Sequence, residues 1–349
     1  MLKQLALSVR PIRRLWEDRL RLIEERDSLA SQLAMAKQPG FAPRLFELAY
    51  GFPPSSEDLA ILNALPQTPD DTVMLRRIIS RFPRQRYPTR FSIRFDSNEV
   101  TTRPIGDFWI WLDTADYAVS AQVFAFGQHE PHLAAFFADY IKPGATVIDI
   151  GANIGIFTMM AASLAGSEGS VLAFEPNSEN CRLLLMSARL NGFDSRVKLY
   201  PLGLSDKAGA AYFTAAIGTN GGMLPDDFDT LKSPSCVVIP TVRMDDMISG
   251  RVDFIKADIE GAEYLALKGG EKLIREHKPI ITVEFSLEMA KLASGIDGFE
   301  LLEWLVSLGY SGILLRRTGE RETIDDIAMF KKSWNDFHRI EDIAFLPQA

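Results

Sequence analysis

Four carboxylates in this chain stand at or near the end of an apolar run. Asp149 lies in VIDIG, Glu175 closes VLAFE, Asp258 closes DFIKAD, and Glu284 falls in IITVEF. A free carboxylate in such a setting is costly without a partner or a role. At strand tips these acids can accept hydrogen bonds from hydroxyls, attract a cation or take up a proton. Gly151, Asn153 and Gly155 follow Asp149, and then an apolar segment of helical character. A strand, a glycine turn and a helix form the usual cradle of a nucleotide-like ligand, because glycine permits tight turns and close backbone approach. Glu175 has the right spacing from this turn to bind two ribose hydroxyls. Its alternative role is to cap the helix that begins near Asn177.

The glycine pattern separates two ligand classes. A dinucleotide asks for G-x-G-x-x-G so that the backbone can approach a pyrophosphate. Here Asn153 takes the middle glycine position, and the last two glycines are missing. S-adenosylmethionine (SAM) has no phosphate, and its sulfonium and ammonium groups suit a carboxylate-rich pocket. The acidic strand ends therefore fit SAM better than NAD.

If the acceptor is a hydroxyl, it needs a base, and the candidates are Asp258, Glu260, Glu284 and His129. The tetrapeptides NPPY or DPPY, expected for planar nitrogen acceptors, are absent, and ADIE stands in their place. Asp258, Glu260 and Glu284 also offer oxygen ligands to Mg²⁺, but their spacing does not demand a metal and none is expected. Glu130 reads as a substrate contact or as a first-turn helix carboxylate. Glu263 and Glu271 read as solvated helix faces, His132 as surface or packing, and His277 as a C-terminal helix residue favoured by the dipole.

The elements that must hold these groups alternate. Strands are expected at 145–150, 170–175, 197–203, 252–258, 279–285, 310–315 and 325–331, and helices at 154–165, 178–190, 261–276 and 299–308. This predicts a mostly parallel sheet covered on both faces, with its ligand beyond the carboxyl ends of the strands. Residues 91–96 and 107–113 read as further strands, and 127–141 as a helix entered near Glu130 and Pro131. The stretch 204–245 interrupts the alternation and is long enough to face a substrate.

Before residue 91 the character differs. Residues 1–90 read as a helical extension, and 91–349 as the domain that carries the chemistry, with its core at 143–285. Prolines are dense from 38 to 90, between short helices at 56–64 and 70–81. Residues 12–36 carry an imperfect coiled-coil pattern, which could pair two copies or pack on the chain's own body. Net charge is +4 over residues 1–100 and −12 over the rest, so the acidic domain argues against a nucleic-acid groove. Arg76, Arg77, Arg81, Arg84, Arg86 and Arg90 form a basic stretch whose simplest role is solvation. Two cysteines, no membrane-length apolar run and no signal-like start predict a cytoplasmic protein.

Residues 143–285 resemble the FkbM-type SAM-dependent methyltransferases. The matching segments are PGATVIDIGANIGIFT, GSVLAFEPNSEN, ARLNG, LGLSDKAG, VRMDDM, DFIKADIEGAEYLALKGG and KPIITVEF, in that order, and GQHEP at 127–131 resembles an element that precedes the domain. The first hundred residues do not match. The resemblance implies a class I SAM-methyltransferase fold, Rossmann-like, and O-methylation of a hydroxyl on a sugar, glycan or related natural product. It implies that Asp149, Gly151, Asn153 and Gly155 line the methionine end of SAM and that Glu175 holds the ribose. Ser205 and Asp206 would lie near the adenine, and Asp258 would face the methyl. The alternatives are a methyltransferase for another small molecule and a non-catalytic binding or assembly protein that kept the fold.

Overall fold

Alternating residues build the outer hairpin first. In the computed structural model, Val100–Ile105 (β1) and Phe108–Asp113 (β2) pair antiparallel. Two helices follow, Ser120–Phe126 (α1) and Pro131–Tyr140 (α2). The central run is Thr146–Ile150 (β3), Ile156–Ala165 (α3), Ser170–Phe174 (β4), Ser178–Leu190 (α4) and Val197–Tyr200 (β5). The insertion holds Gly203–Leu204 (β6), Gly209–Thr214 (β7), Met223–Leu224 (β8), Cys236–Val242 (β9) and the short helix Met244–Met247 (α5). The alternation resumes with Phe254–Ala257 (β10), Glu263–Lys268 (α6), Glu271–His277 (α7), Ile280–Ser286 (β11), Leu287–Ser294 (α8) and Phe299–Ser307 (α9). Tyr310–Leu315 (β12), Arg321–Ile324 (β13), Ile327–Ser333 (α10) and Ile340–Pro347 (β14) complete it.

The chain divides into two compact units, Met1–Arg94 and Phe95–Ala349. The structure describes residues 100–113, 116, 119–214, 222–224 and 236–348, with Leu59 and Leu62 of the first unit. The expected helices at 12–36 and 70–81, the strand at 91–96 and the arginine-rich stretch lie outside the described residues. Leu59 and Leu62 are both helical, and Leu62 is fully buried.

Eight strands form the main sheet in the order β5-β4-β3-β10-β11-β14-β12-β13. The pairs β5–β4, β4–β3, β3–β10 and β10–β11 are parallel. β14 enters antiparallel between β11 and β12, and β13 pairs antiparallel with β12. The sheet is thus mostly parallel, with two reversed strands, β14 and β13, in its far third. Successive side chains leave a strand on opposite faces. Val147 and Phe254 accordingly pack with α2, α3 and α4 on one face, while Ile148 and Ile255 pack with α6, α7 and α9 on the other. A smaller sheet, β6-β9-β7-β8, is built by the insertion. Among the described residues no helix is long and apolar enough to cross a membrane.

Three expectations about elements are corrected. DIAMFKK is not a strand but the first part of helix α10, because the Asp326 carboxylate accepts from Ala328 N at 2.7 Å and Met329 N at 3.0 Å and caps it. The strands that flank it in the chain are β13, at the edge of the sheet, and β14, inside it. The helix expected over 261–276 breaks into α6 and α7 at Gly269 and Gly270. A Cβ on Gly269 would stand 2.0 Å from the Ser205 carbonyl oxygen, and one on Gly270 2.6 Å from Met244 Sδ. Glu263, expected on a solvated face, is buried and accepts from Ile259 N at 2.8 Å and Gly261 N at 3.1 Å.

Candidate active site

The turn after β3 is shaped first by the protein's own backbone. Gly151 has a φ of 79°, and a Cβ there would lie 1.9 Å from the carbonyl oxygen of Asp258 at the end of β10. At Gly155, with a φ of 94°, a Cβ would meet Leu184 of α4 at 2.7 Å. Glycine is required at both positions before any ligand is considered. Between them Asn153 is left-handed, and its Oδ1 accepts from Ile154 N at 2.7 Å. The turn presents Asn153 N to Glu175 Oε2 at 2.8 Å, while Asn177 N donates to Glu175 Oε1 at 2.8 Å. Burial pushes the Glu175 carboxyl up to about 7 against these two backbone donors. Capping of α4 falls to Asn177, whose side chain accepts from Glu179 N and Asn180 N.

A polar band crosses the middle of the sheet on the face of α2 and α3. Asp149 of β3 is the register partner of Lys256 of β10, which is the partner of Thr282 of β11. One step further along the strands come Asp258, Glu284 and then Asp342 of β14, the last two paired in register. Lys256 Nζ lies 2.9 Å from Asp258 Oδ2 and 4.0 Å from Asp149 Oδ1, and 5.2 Å from the centroid of the Phe157 ring. Burial pulls the Lys256 ammonium down, but Asp258, Asp149 and Glu130 outweigh it and hold it charged. Asp149 is buried and accepts from Thr158 Oγ1 at 2.6 Å. Burial raises its carboxyl, opposed by Lys256 and Thr158. Glu284 is raised well above the usual range by burial and by Asp258, Glu260, Glu263 and Asp342 around it.

His129 and Glu130 enter from the turn before α2. Burial lowers the His129 ring to about 4, so it is neutral near pH 7, and its Nδ1 has no hydrogen-bond partner. Burial, with Asp258 and Asp342 next, raises Glu130 to about 7, and its Oε2 also lacks a hydrogen-bond partner. Among the described residues four that are not glycine have positive φ, and three of them, Glu130, Asn153 and Glu260, line one cleft. Backbone strain concentrated in this way marks functional sites.

That cleft encloses about 960 Å³ counted out to its open mouth. Eight of the residues singled out in the sequence line it: His129, Glu130, Gly151, Asn153, Glu175, Asp258, Glu260 and Glu284. The other four lie off its wall. Asp149 sits behind it on Thr158, and Gly155 packs on Leu184. Ser205 is buried with its Oγ 3.2 Å from Asp206 Oδ1, although Leu202, Gly203 and Leu204 just before it do line the cleft. Lys256, Phe157, Phe213 and Ile239 are lining residues that the sequence reading missed. Lys256 had a signal, a lysine in an apolar strand two residues before Asp258. Phe213 and Ile239 come from the insertion sheet, inside the stretch 204–245 expected to face a substrate, although neither was singled out. Among the described residues no group of three or more His, Cys, Asp or Glu is arranged to hold a metal ion.

The raised carboxyls make stability depend on pH. Glu130, Glu175 and Glu263 move from 4.5 to about 7, and burial is the first cause in each. The folded protein keeps protons there that the unfolded chain gives up above about 4.5, so stability is lost as pH rises from about 4.5 through about 7. Exposed pairs such as Glu322 with Arg316 act in the opposite sense but are screened by solvent. Calorimetric melting of the unliganded protein should therefore give a lower Tm at pH 8 than at pH 5. A Tm that rises over this interval would mean these carboxyls stay ionised in the fold.

Comparison with known proteins adds the family. The sequence profile of the methyltransferase FkbM domain matches residues 149–311. The AMB antimetabolite synthetase AmbE of Pseudomonas aeruginosa is 39% identical over 74 residues, 21% of this chain and 3% of that protein. The methyltransferase sdnD of Sordaria araneosa is 28% identical over 155 residues, 35% of this chain and 59% of that one. The chain thus spans less than two thirds of the length of either curated relative. The crystal structure of methyltransferase FkbM from Methylobacillus flagellatus KT aligns with a TM-score of 0.39 and 19% identity, over 64% of this chain and 52% of that chain. The matched segment, which runs from Asp149 of β3 into β12, is a methyltransferase FkbM domain.

Proposed function

We propose that the cleft binds SAM and that the chain transfers its methyl group to a hydroxyl of a sugar, glycan or related natural-product acceptor. The observation that carries this reading is the make-up of the cleft: five carboxyls, Glu130, Glu175, Asp258, Glu260 and Glu284, line it against one ammonium, Lys256. Such a wall favours a cationic ligand. The residues fit the cofactor. Glu175 at the tip of β4 would take the ribose hydroxyls, the Gly151–Asn153 turn the methionine end, and the loop 202–206 the adenine. The buried Glu130 Oε2, which lines the cleft and lacks a hydrogen-bond partner in the protein, is an acceptor suited to a cation. When bound, SAM supplies an electrophilic methyl group on a sulfonium.

The chain's own residues must then orient the hydroxyl and take its proton. Alignment of the reactants in a near-attack geometry supplies several kcal/mol. Asp258 is held by Lys256 and suits orientation. Glu284 has the raised affinity for a proton that a base needs near neutral pH. His129 is a weaker base, since burial lowers it to about 4. Phe213 and Ile239 at the cleft favour an acceptor with an apolar portion, so another small-molecule scaffold is the second reading. Both cysteines are free, which suits a reducing compartment, and a cytoplasmic location belongs to the proposal.

Methyl-labelled SAM, offered with a panel of nucleotide-sugars, methyl glycosides and cell-envelope sugar fractions, tests the reading. Label on a hydroxyl oxygen, located by mass spectrometry, is expected, and label on nitrogen only would refute it. Glu175→Ala should weaken SAM binding by about 1–3 kcal/mol, the cost of leaving polar groups unpaired. Unchanged affinity in calorimetry would leave Glu175 as a brace between Asn153 and Asn177.

A further inference from the structure

We propose that His132 and Asp342 form the proton exit of the transfer site and receive the proton that Glu284 takes from the acceptor. The inference rests on the methyl-transfer reading. Neither residue lines the cleft, and neither has a part in the chemistry described above. His132 Nε2 lies 2.6 Å from Asp342 Oδ2, with side chains 5% and 10% exposed. Asp342 stands directly opposite Glu284 in the antiparallel pair of β11 and β14. Directly paired residues share a face, with Cβ atoms about 4.5–5.5 Å apart. The dyad therefore sits immediately behind the base.

The reaction leaves one proton to dispose of. The acceptor O–H bond breaks and its proton goes to Glu284. The oxygen–methyl bond forms as the carbon–sulfur bond breaks, and the electron pair of that bond stays on sulfur. Glu284 must then lose the proton before the next cycle. The groups around it are Asp258, Glu260 and Glu263, with Asp342 across the strand pair. Asp258 is bound to Lys256 at 2.9 Å, and Glu263 is tied to two backbone N–H groups. Asp342 instead carries an imidazole, a group able to accept a proton and pass it on. On the turn before α2, His129 and Glu130 sense this dyad, as His132 lies within electrostatic reach of both and Asp342 of Glu130. Of the seven buried side-chain polar atoms without a hydrogen-bond partner among the described residues, four belong to Asp149, Thr282, Glu130 and His129. Asp149 and Thr282 belong to the band itself, and Glu130 and His129 stand at its edge.

Two arms test the exit. The full-length protein has four histidines, so ¹⁵N-histidine NMR can follow the His132 ring after assignment by single substitution. Glu284→Gln should move the His132 titration midpoint by roughly half a pH unit or more, and Asp342→Asn should abolish that response. An unmoved midpoint in Glu284→Gln overturns the proposal. The kinetic arm uses whichever nucleotide-sugar the wild type methylates. There Asp342→Asn and His132→Gln should each lower kcat about tenfold, less than loss of the base itself. SAM affinity should hold, and the solvent deuterium isotope effect should grow. Wild-type kcat and isotope effect in both variants also overturn it. If the wild type methylates nothing in the panel, it is the functional reading that fails, and the NMR arm alone decides the proton path.

Discussion

Glu284→Gln is expected to lower turnover by about 10²–10⁴-fold while SAM affinity changes little. The amide keeps the shape of the side chain and removes its capacity for a proton. Glu284 lies at the cleft from β11, one strand from Asp258 and opposite Asp342. Burial and four neighbouring acids raise its carboxyl well above the usual range. In the unliganded protein it therefore holds a proton to unusually high pH. A cation in the cleft favours its ionised form, so the base is made ready by the ligand it serves. The wild-type rate should rise with pH through the ionisation of Glu284 in the loaded enzyme, and this limb should vanish in the variant. Asp258→Asn, compared in the same assay, should affect the rate without removing the limb, because Asp258 is tied to Lys256 and orients the acceptor rather than taking its proton. Normal turnover of Glu284→Gln across pH 6–9 would transfer the role of base to His129 or Glu260.

The second large effect is on stability. Lys256→Met should destabilise the fold by about 3–5 kcal/mol at pH 8, the cost of breaking a buried ion pair from one side. Lys256 is 3% exposed and Asp149 1%, and the lysine answers both Asp149 and Asp258. Without the ammonium, Asp149 keeps only the Thr158 hydroxyl. Its carboxyl is already raised by burial and can take up a proton instead. The penalty should therefore shrink toward pH 5, where protonation is easier, and Lys256→Met with Asp149→Asn should recover part of the loss. Chemical denaturation at the two pH values measures this. A loss below about 1 kcal/mol at pH 8 would mean that the pair is not an energetic keystone of the sheet.

Much of the site was legible because strand ends are written locally. An apolar run, an acid and a glycine turn placed Asp149, Glu175 and Asp258, and the order of the elements predicted the parallel sheet. What could not be read is what depends on strand order. β14 is the last strand in the chain, yet it enters between β11 and β12. Nothing in IEDIAFLP says that Asp342 will face Glu284. His132 looked like packing for the same reason, since its partner lies 210 residues away. Glu263 looked solvated because helix periodicity ignores the loop before the helix, where Ile259 N and Gly261 N turn back to its carboxylate. The strand read into DIAMFKK failed for want of one feature, the cap that Asp326 provides. Gly269 and Gly270 are explained only by Ser205 and Met244, residues from outside the helix they divide.

The central claim is that a carboxylate-lined cleft in an FkbM domain binds a sulfonium cofactor, and isothermal calorimetry tests it most directly. SAM, S-adenosylhomocysteine and NAD⁺ would be titrated into the full-length protein in two buffers of different ionisation enthalpy. SAM should bind with release of protons, because its positive charge opposes the protonated forms of Glu130 and Glu284. S-adenosylhomocysteine lacks the sulfonium charge and should bind with a smaller release, and NAD⁺ should not bind. Binding of NAD⁺ with no heat from SAM or S-adenosylhomocysteine would contradict the account.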